Sequence, residues 1–398
     1  MRFPEFKDEW VIYKVSDVLD FYSTNSLSWD QLEYNSDELL NLHYGLIHVG
    51  LPTAVDLDEN TLPNIKKEFL PRNYELCKEG DVAFADASED TNEVAKAIEF
   101  VNLSNRNIVC GLHTIHGRDN HNLTSVGFKG YSFASESFHN QIRRIAQGTK
   151  IFSISSKNFT ECYIGIPSKE EQSKIAKLLR LIDKRISAQI RIIEDLKVFR
   201  NSLMFKLLKP KKGWAHLCIK DIATVIGGGT PDTNVKDYWD GNIQWFTPSE
   251  IGKNKFVLTS ERTISQAGLD NSSTKLLPPN TILLSTRATI GECSIAKQEC
   301  CTNQGFQSLI ANKVTPEFLY YLIQTKKKDL LSKASGSTFA EISANEVRKI
   351  HICIPNTQEE QKAIVQPLSA YDERIETECK ILHLYELQKQ YLLGQMFI

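Results

Sequence analysis

Residues 164–208 read IGIPSKEEQSKIAKLLRLIDKRISAQIRIIEDLKVFRNSLMFKLL, and residues 352–397 read ICIPNTQEEQKAIVQPLSAYDERIETECKILHLYELQKQYLLGQMF. Both stretches open with Ile-x-Ile-Pro, continue through Glu-Glu-Gln, and carry Asp-x-Arg-Ile inside a long apolar-periodic run. An internal repeat decides architecture before any other feature does. The repeated unit is a globular segment followed by a long helix.

Heptad periodicity runs through both copies. In the first, Ile175, Ile182, Gln189, Leu196 and Leu203 take the a positions, and Leu179, Ile186, Ile193, Arg200 and Leu207 take d. Adding 189 gives Ile364, Tyr371, Glu378, Tyr385 and Leu392 at a, with Leu368, Ile375, Leu382, Lys389 and Met396 at d. A polar residue breaks both seams at the same a position (Gln189, Glu378), and a cation breaks both at the same d position (Arg200, Lys389). Such breaks weaken a coiled coil but fix its register. Ser168 with Glu171, and Thr357 with Glu360, have capping-box spacing at each helix start. Roughly 40 residues rising 1.5 Å each predict rods of roughly 60 Å. That exceeds one turn of DNA, about 34–36 Å.

The frame extends upstream. Trp10 precedes Asp17-Val18 as Trp214 precedes Asp221-Ile222. Ala146–Thr149 followed by Ile154–Ser156 parallels Ala334–Thr338 followed by Ile342–Ala344. Gly80–Phe84 parallels Pro279–Leu283, each a turn feeding a buried strand. Lys209–Gly213, with Pro210, ends the first helix and begins the second module. The predicted division is 1–163, 164–212, 213–351 and 352–398. Between the anchors the two modules share almost nothing, as if docked alike but reading different things.

Composition is ordinary for a chain of 398 residues, 41% hydrophobic and 24% charged. No run reaches membrane-spanning length, and no apolar signal segment opens the chain. Nine cysteines without a CxxC pair fit reduced thiols in a cytoplasm. The net charge of −2 hides a strong segregation. Residues 1–163 carry 15 Lys+Arg against 24 Asp+Glu, and 164–212 carry 13 against 5. Residues 213–351 carry 15 against 13, and 352–398 carry 4 against 7. A basic helix and an acidic one favour mutual pairing. The acidic first module argues for weak DNA binding by the chain alone, because phosphate neutralisation dominates such affinity.

These features, with RFPEF near the start, Gly80–Asp90 and Gly111–Ile115 in the first module, and GGGTPDT from Gly227 in the second, resemble the specificity subunit of type I restriction–modification systems. Gln244–Pro248, Leu284–Arg287, Thr302–Phe306, GSTFAEIS from Gly336 and Gln390–Phe397 carry the same resemblance, which covers the whole length. It implies an α+β fold: two pseudo-repeated α/β target-recognition domains separated by two long antiparallel helices forming a coiled coil. It implies that each domain reads one half of a split double-stranded DNA target. It further implies that the helices dock two methyltransferase (M) subunits, and that restriction/translocase (R) subunits join through them. No membrane partner is expected, and S-adenosylmethionine, ATP and Mg would belong to the partner subunits.

Catalytic motifs are absent from the sequence. It has no Asn-Pro-Pro-Tyr/Phe motif, no glycine fingerprint for S-adenosylmethionine and no Walker loop. No catalytic residue and no metal site are predicted. A stand-alone methyltransferase or nuclease, or an adaptor that reads no DNA, is the alternative.

Candidate DNA contacts lie in both modules. Gly227–Pro231, including Thr230, is either a phosphate cradle or a plain turn. Ser285, Thr286 and Arg287 end an apolar strand, where Arg287 is either a guanine or phosphate fork or a surface cation. Asn303 and Gln304 either read adenine edges or satisfy loop backbone. Ser337 and Thr338 are candidate phosphate contacts. In the first module, GLHTIHGRDNHN offers His116 and Arg118 to DNA or forms an ordinary polar loop. Its histidine spacing fits no standard metal set. Asp86, Glu89 and Asp90 read as structural, or as acceptors from cytosine amino groups. Helix packing and subunit docking are assigned to Ile175, Leu179, Ile182, Ile186, Ile193, Leu196, Ile364, Leu368, Tyr371, Ile375, Leu382 and Tyr385.

Overall fold

The structure, a computed structural model, describes residues 2–36, 38–287, 289–335 and 340–397. Two compact units divide the chain: Met1–Arg191 with Lys380–Ile398, and Ile192–Cys379.

In the first unit, strand β1 (Val11–Lys14) pairs antiparallel with β7 (Tyr163–Ile166), closing the module at its two chain ends. Between them lie β2 (Asp20–Tyr22), β3 (Ala54–Asp56), β4 (Val82–Ala85), β5 (Ala97–Asn102) and β6 (Thr114–Arg118). They form one sheet in the order β2-β6-β4-β5-β3. Only the β3–β5 edge is parallel.

The second unit repeats this pattern. Strand β8 (Ala215–Cys218) pairs with β14 (His351–Ile354). Strands β9 (Ala223–Gly227), β10 (Phe256–Val257), β11 (Ile282–Leu284), β12 (Cys293–Ala296) and β13 (Gln307–Ala311) form a sheet in the order β9-β13-β11-β12-β10. Its single parallel pair is again at the far edge, β10 with β12. Every label exceeds its counterpart by seven.

Alternation along the strands explains the layering, because successive side chains point to opposite faces. Val82 and Phe84 enter one core while Ala83 and Ala85 enter another. Ile282 and Leu284 likewise part from Leu283. The modules diverge in their second sheets. The first has four short strands, and the second has three built around the long strand Trp239–Phe246.

Besides short helices, each module supplies a helix preceding its long rod: α1 (Lys129–Phe133) in the first and α3 (Pro316–Thr325) in the second. The rods are α2 (Lys169–Leu207) and α4 (Gln358–Met396), each 39 residues. In the first unit Asp183 pairs with Lys389, and Ile175, Leu179 and Ile182 share a core with Leu392 and Met396. In the second, Arg200 pairs with Asp372, and Met204 shares a core with Ile364 and Leu368. Advancing along one helix meets earlier residues of the other, so the pairing is antiparallel. Full burial of each seam leucine or isoleucine stabilises it by ~1.5–3 kcal/mol.

The expected capping box at α2 is half formed. Ser168 accepts the Glu171 amide at 3.4 Å, but the buried Glu171 carboxylate turns to Arg2 at 2.6 and 2.7 Å. A guanidinium matches a carboxylate with two parallel bonds, so it wins over one backbone amide.

Candidate nucleic-acid interface and its helical frame

The cations that break the helical seam are answered from two directions. In the first unit the Lys389 ammonium lies 2.7 Å from Asp183, and Tyr131 Oη donates to Asp183 at 2.6 Å. In the second, Arg200 Nε donates to Asp372 at 2.9 Å, and Tyr321 Oη donates to Asp372 at 2.5 Å. Asp183 and Asp372 are the aspartates of the repeated Asp-x-Arg-Ile. Each globular module therefore pins itself to both helices through one Tyr–Asp–cation triad, with the cation on the opposite helix. Burial and the adjacent carboxylate both push the two phenols upward, keeping them protonated donors. Gln189 and Glu378, the shared polar a-position break, are buried.

The repeated Glu-Glu-Gln has a matching role. Gln172 Oε1 accepts the Ser125 amide at 2.6 Å, and Gln361 Oε1 accepts the Thr315 amide at 3.3 Å. Each glutamine fixes the segment that leads into α1 or α3, which carry the triad tyrosines.

Of the predicted packing residues, Ile175, Leu179, Ile182, Ile193, Ile364 and Leu368 are buried. Ile186, Leu196, Tyr371, Ile375, Leu382 and Tyr385 are half-buried. Several apolar residues point outward instead: Leu181, Ile190, Leu384, Leu387 and Tyr391 in the first unit, and Ile192, Val198, Phe199 and Phe205 in the second.

Four of the sequence motifs in the second module meet at one set of loops. Gly229 N–H donates to Thr302 O at 2.9 Å, so this amide of the glycine loop is committed internally. A Cβ on Gly228 would lie 2.0 Å from Asn303 O, which explains a glycine at this close approach. Thr230 donates to Gln304 Oε1, and Asn303 Oδ1 accepts the Gly305 amide at 2.8 Å. Thr286 is buried, with its amide and hydroxyl both donating to Gly305 O at 2.8 and 3.1 Å. Ser285 is buried and donates to Arg287 O. Arg287 is 42% exposed and pairs with Glu341 at 2.8 Å, while its buried Nε has no hydrogen-bond partner among the described residues. Gln304 is exposed. The motifs thus converge, with Arg287 and Gln304 presenting polar atoms outward and Ser285, Thr286 and Asn303 bracing the loops. Ser337 and Thr338 lie outside the described residues.

In the first module the expected loop GLHTIHGRDNHN is a strand over Thr114–Arg118, buried throughout. This corrects the reading of His116 and Arg118 as DNA contacts from a loop. His116 is 1% exposed and its Nε2 lies 2.7 Å from Asp81. Arg118 is 6% exposed and grips Asp81 through Nε and Nη2, both at 2.8 Å, with Glu75 and Leu76 O completing its donors. Burial pushes Asp81 up, but His116, Arg118 and the Lys78 amide outweigh it and hold the carboxyl below its usual range. Asp86 pairs with His113, and Asp90 holds its own turn through Asn92, which favours a structural role for both.

Asp81 therefore organises this region, a part the sequence did not assign to it. Beside it a cavity of about 250 Å³ is lined by Lys78, Gly80, Arg118, Asp119 and Lys129, among others. The described residues contain no helix long and apolar enough to cross a membrane.

Comparison with known proteins places this architecture. Residues 211–384 match the family described as the type I restriction modification DNA specificity domain. The MjaIX specificity subunit of Methanocaldococcus jannaschii is 40% identical over 177 residues, 43% of this chain and 41% of that protein. The EcoR124I/EcoR124II specificity subunit of Escherichia coli is 27% identical, over 54% of this chain and 57% of that one. This chain thus spans about half the length of these two relatives. The putative MjaX specificity subunit of M. jannaschii is 24% identical across 98% of this chain and 93% of its own.

Among solved structures, the type I S subunit from M. genitalium aligns with a TM-score of 0.56 at 15% identity, covering 100% of this chain and 99% of that one. A chain from a study of complex assembly and conformational transition of the type I R-M system aligns at 0.62 and 16%, covering 98% and 97%. The second module is thus similar to the type I DNA specificity domain, and the whole chain shares its fold with solved S subunits of these systems.

Proposed function

We propose that this chain is the non-catalytic DNA-specificity subunit of a type I restriction–modification complex, each module reading one half of a bipartite, asymmetric target. The observation that carries this is the duplicated sheet topology on a common helical frame, filled by unrelated loop chemistry. Equal docking with unequal loops is what two different half-sites at a fixed spacing require.

The proposed organisation is the four-part division at 163, 212 and 351. In the second module Arg287 and Gln304 are the direct readers, with Thr230 positioning Gln304. Fork-shaped guanidinium and amide groups suit base edges in the major groove. His116 and Arg118 take a structural role in the first module. The outward apolar residues of the two helices, among them Val198, Phe205, Leu384 and Tyr391, suit M subunits, because exposed apolar clusters mark partner sites. S-adenosylmethionine, ATP and Mg act on those partners and on the R subunits joined to them, in the cytoplasm.

The test is methylation sequencing of DNA from cells expressing an M subunit with and without this chain. A split modified motif that depends on the chain is expected. Modification of an undivided motif, or by M alone, would overturn the proposal, as would methylation or cleavage by the purified chain.

A further inference from the structure

Cys77, Cys110 and His116 come from three separate segments of the first module. Cys77 precedes β4, Cys110 ends the strand Ile108–Cys110 of the smaller sheet, and His116 lies in β6 of the larger one. One donor atom from each lies within 4.8 Å of the other two, and all three residues are buried. The two sulfurs are 3.6 Å apart. Two thiolates on one tetrahedral zinc, each bonded at about 2.3 Å, sit about 3.8 Å apart.

The histidine carries the second observation. His116 Nδ1 is buried with no hydrogen-bond partner among the described residues, although its other nitrogen bonds Asp81 at 2.7 Å. Leaving a buried polar atom unpaired destabilises the fold. A carboxylate on one ring nitrogen is the arrangement that keeps the proton there, orients the ring and leaves the other nitrogen free to ligate. Asp81 is itself locked by Arg118 and by the Lys78 amide at 2.8 Å. The buried polar strand therefore holds a ring nitrogen available to ligate.

The geometry points to a structural zinc site formed by Cys77, Cys110 and His116, with one coordination position left for a small ligand. Two thiolates and a neutral imidazole cancel the charge of a divalent ion, which suits a buried site. Soft sulfur donors exclude magnesium and calcium. The ion clips the two sheets and the loop before β4 together, so it supports the module without taking part in DNA reading. It departs from the metal-free expectation because the ligands are 33 and 6 residues apart along the chain, a spacing that forms no motif.

The experiment measures metal on the full chain, purified under reducing conditions without chelator, by mass spectrometry and by cobalt substitution. About one zinc per chain is expected, and cobalt should give intense thiolate charge-transfer absorption together with tetrahedral ligand-field bands. Cys77→Ser with Cys110→Ser should abolish both signals, while Cys379→Ser, at an exposed cysteine, should leave them unchanged. If the double variant fails to fold, His116→Gln in the full chain should shift or remove the cobalt bands. Absence of metal after incubation with zinc or cobalt would overturn the site, and so would metal retained by the double variant. A Cys77–Cys110 disulfide in the purified chain would also overturn it.

Discussion

The two modules share a skeleton and differ in where their polar chemistry points. Arg118 and His116 of the first are turned inward onto Asp81. Arg287 and Gln304 of the second stand at the loop surface. His116 and Arg118 lie in β6, whose counterpart β13 follows Gln304, while Arg287 follows β11, the counterpart of β4, so the shared topology leaves this chemistry free to differ. The contrast teaches that the sheet is a holder, whose polar content can be turned inward for stability or outward to solvent.

The largest expected effect breaks the shared frame. Asp372→Ala removes the carboxylate partner of Arg200, whose side chain is 9% exposed, and leaves a buried cation with neutral partners such as Gln324 but without this counter-charge. The loss should reach ~3–5 kcal/mol in denaturant unfolding. Asp183→Ala should cost less, because Lys389 is 20% exposed and its flexible ammonium can reach water. Equal costs would show that the two triads are not graded by burial.

Arginine substitutions sharpen the contrast between modules. Arg118→Ala takes the guanidinium from buried Asp81, leaving it His116 and the Lys78 amide, and should lower stability by ~3 kcal/mol. Arg287→Ala should change stability by under ~1 kcal/mol, since its ion pair is half exposed. It should nonetheless weaken modification at the second half-site. Gly228→Ala, whose Cβ would press on a backbone oxygen, should cost ~1–3 kcal/mol and disturb the same half-site.

The smallest expected effect is a pH dependence. Burial raises Asp119, but the Thr124 hydroxyl and the Thr124 and Leu123 amides outweigh it and hold the carboxyl below its ordinary value. A depressed folded-state value gives stability that is full above the ordinary carboxylate range and lost as pH falls through the folded value. Asp119→Asn should flatten the unfolding curve in that acidic window. An unchanged slope would contradict the assignment.

Much of the frame was legible. Heptad spacing placed both rods, and the matching breaks at Arg200 and Lys389 marked where register is held. Their tyrosine partners were not legible, because Tyr131 and Tyr321 lie in diverged modules and meet the aspartates only after folding. The two five-stranded sheets were hidden by strands of two to six residues, too short for periodicity to declare. In the candidate site, glycine and hydroxyl-rich motifs pointed to loops that the structure brings together, but not to which side chain faces outward. The histidine-rich run misled because its polar composition resembles a loop. Partners distant in sequence, Asp81 and Glu75, let that composition be buried as a strand.

The most direct test of two independent readers on one frame is methylation-motif sequencing with Arg287→Ala and Gln304→Ala chains beside the unaltered one, each with the M subunit. The account predicts that only one half of the split motif relaxes, with the other half and the spacing unchanged. Both halves changing together, or neither changing while binding is lost altogether, would contradict it.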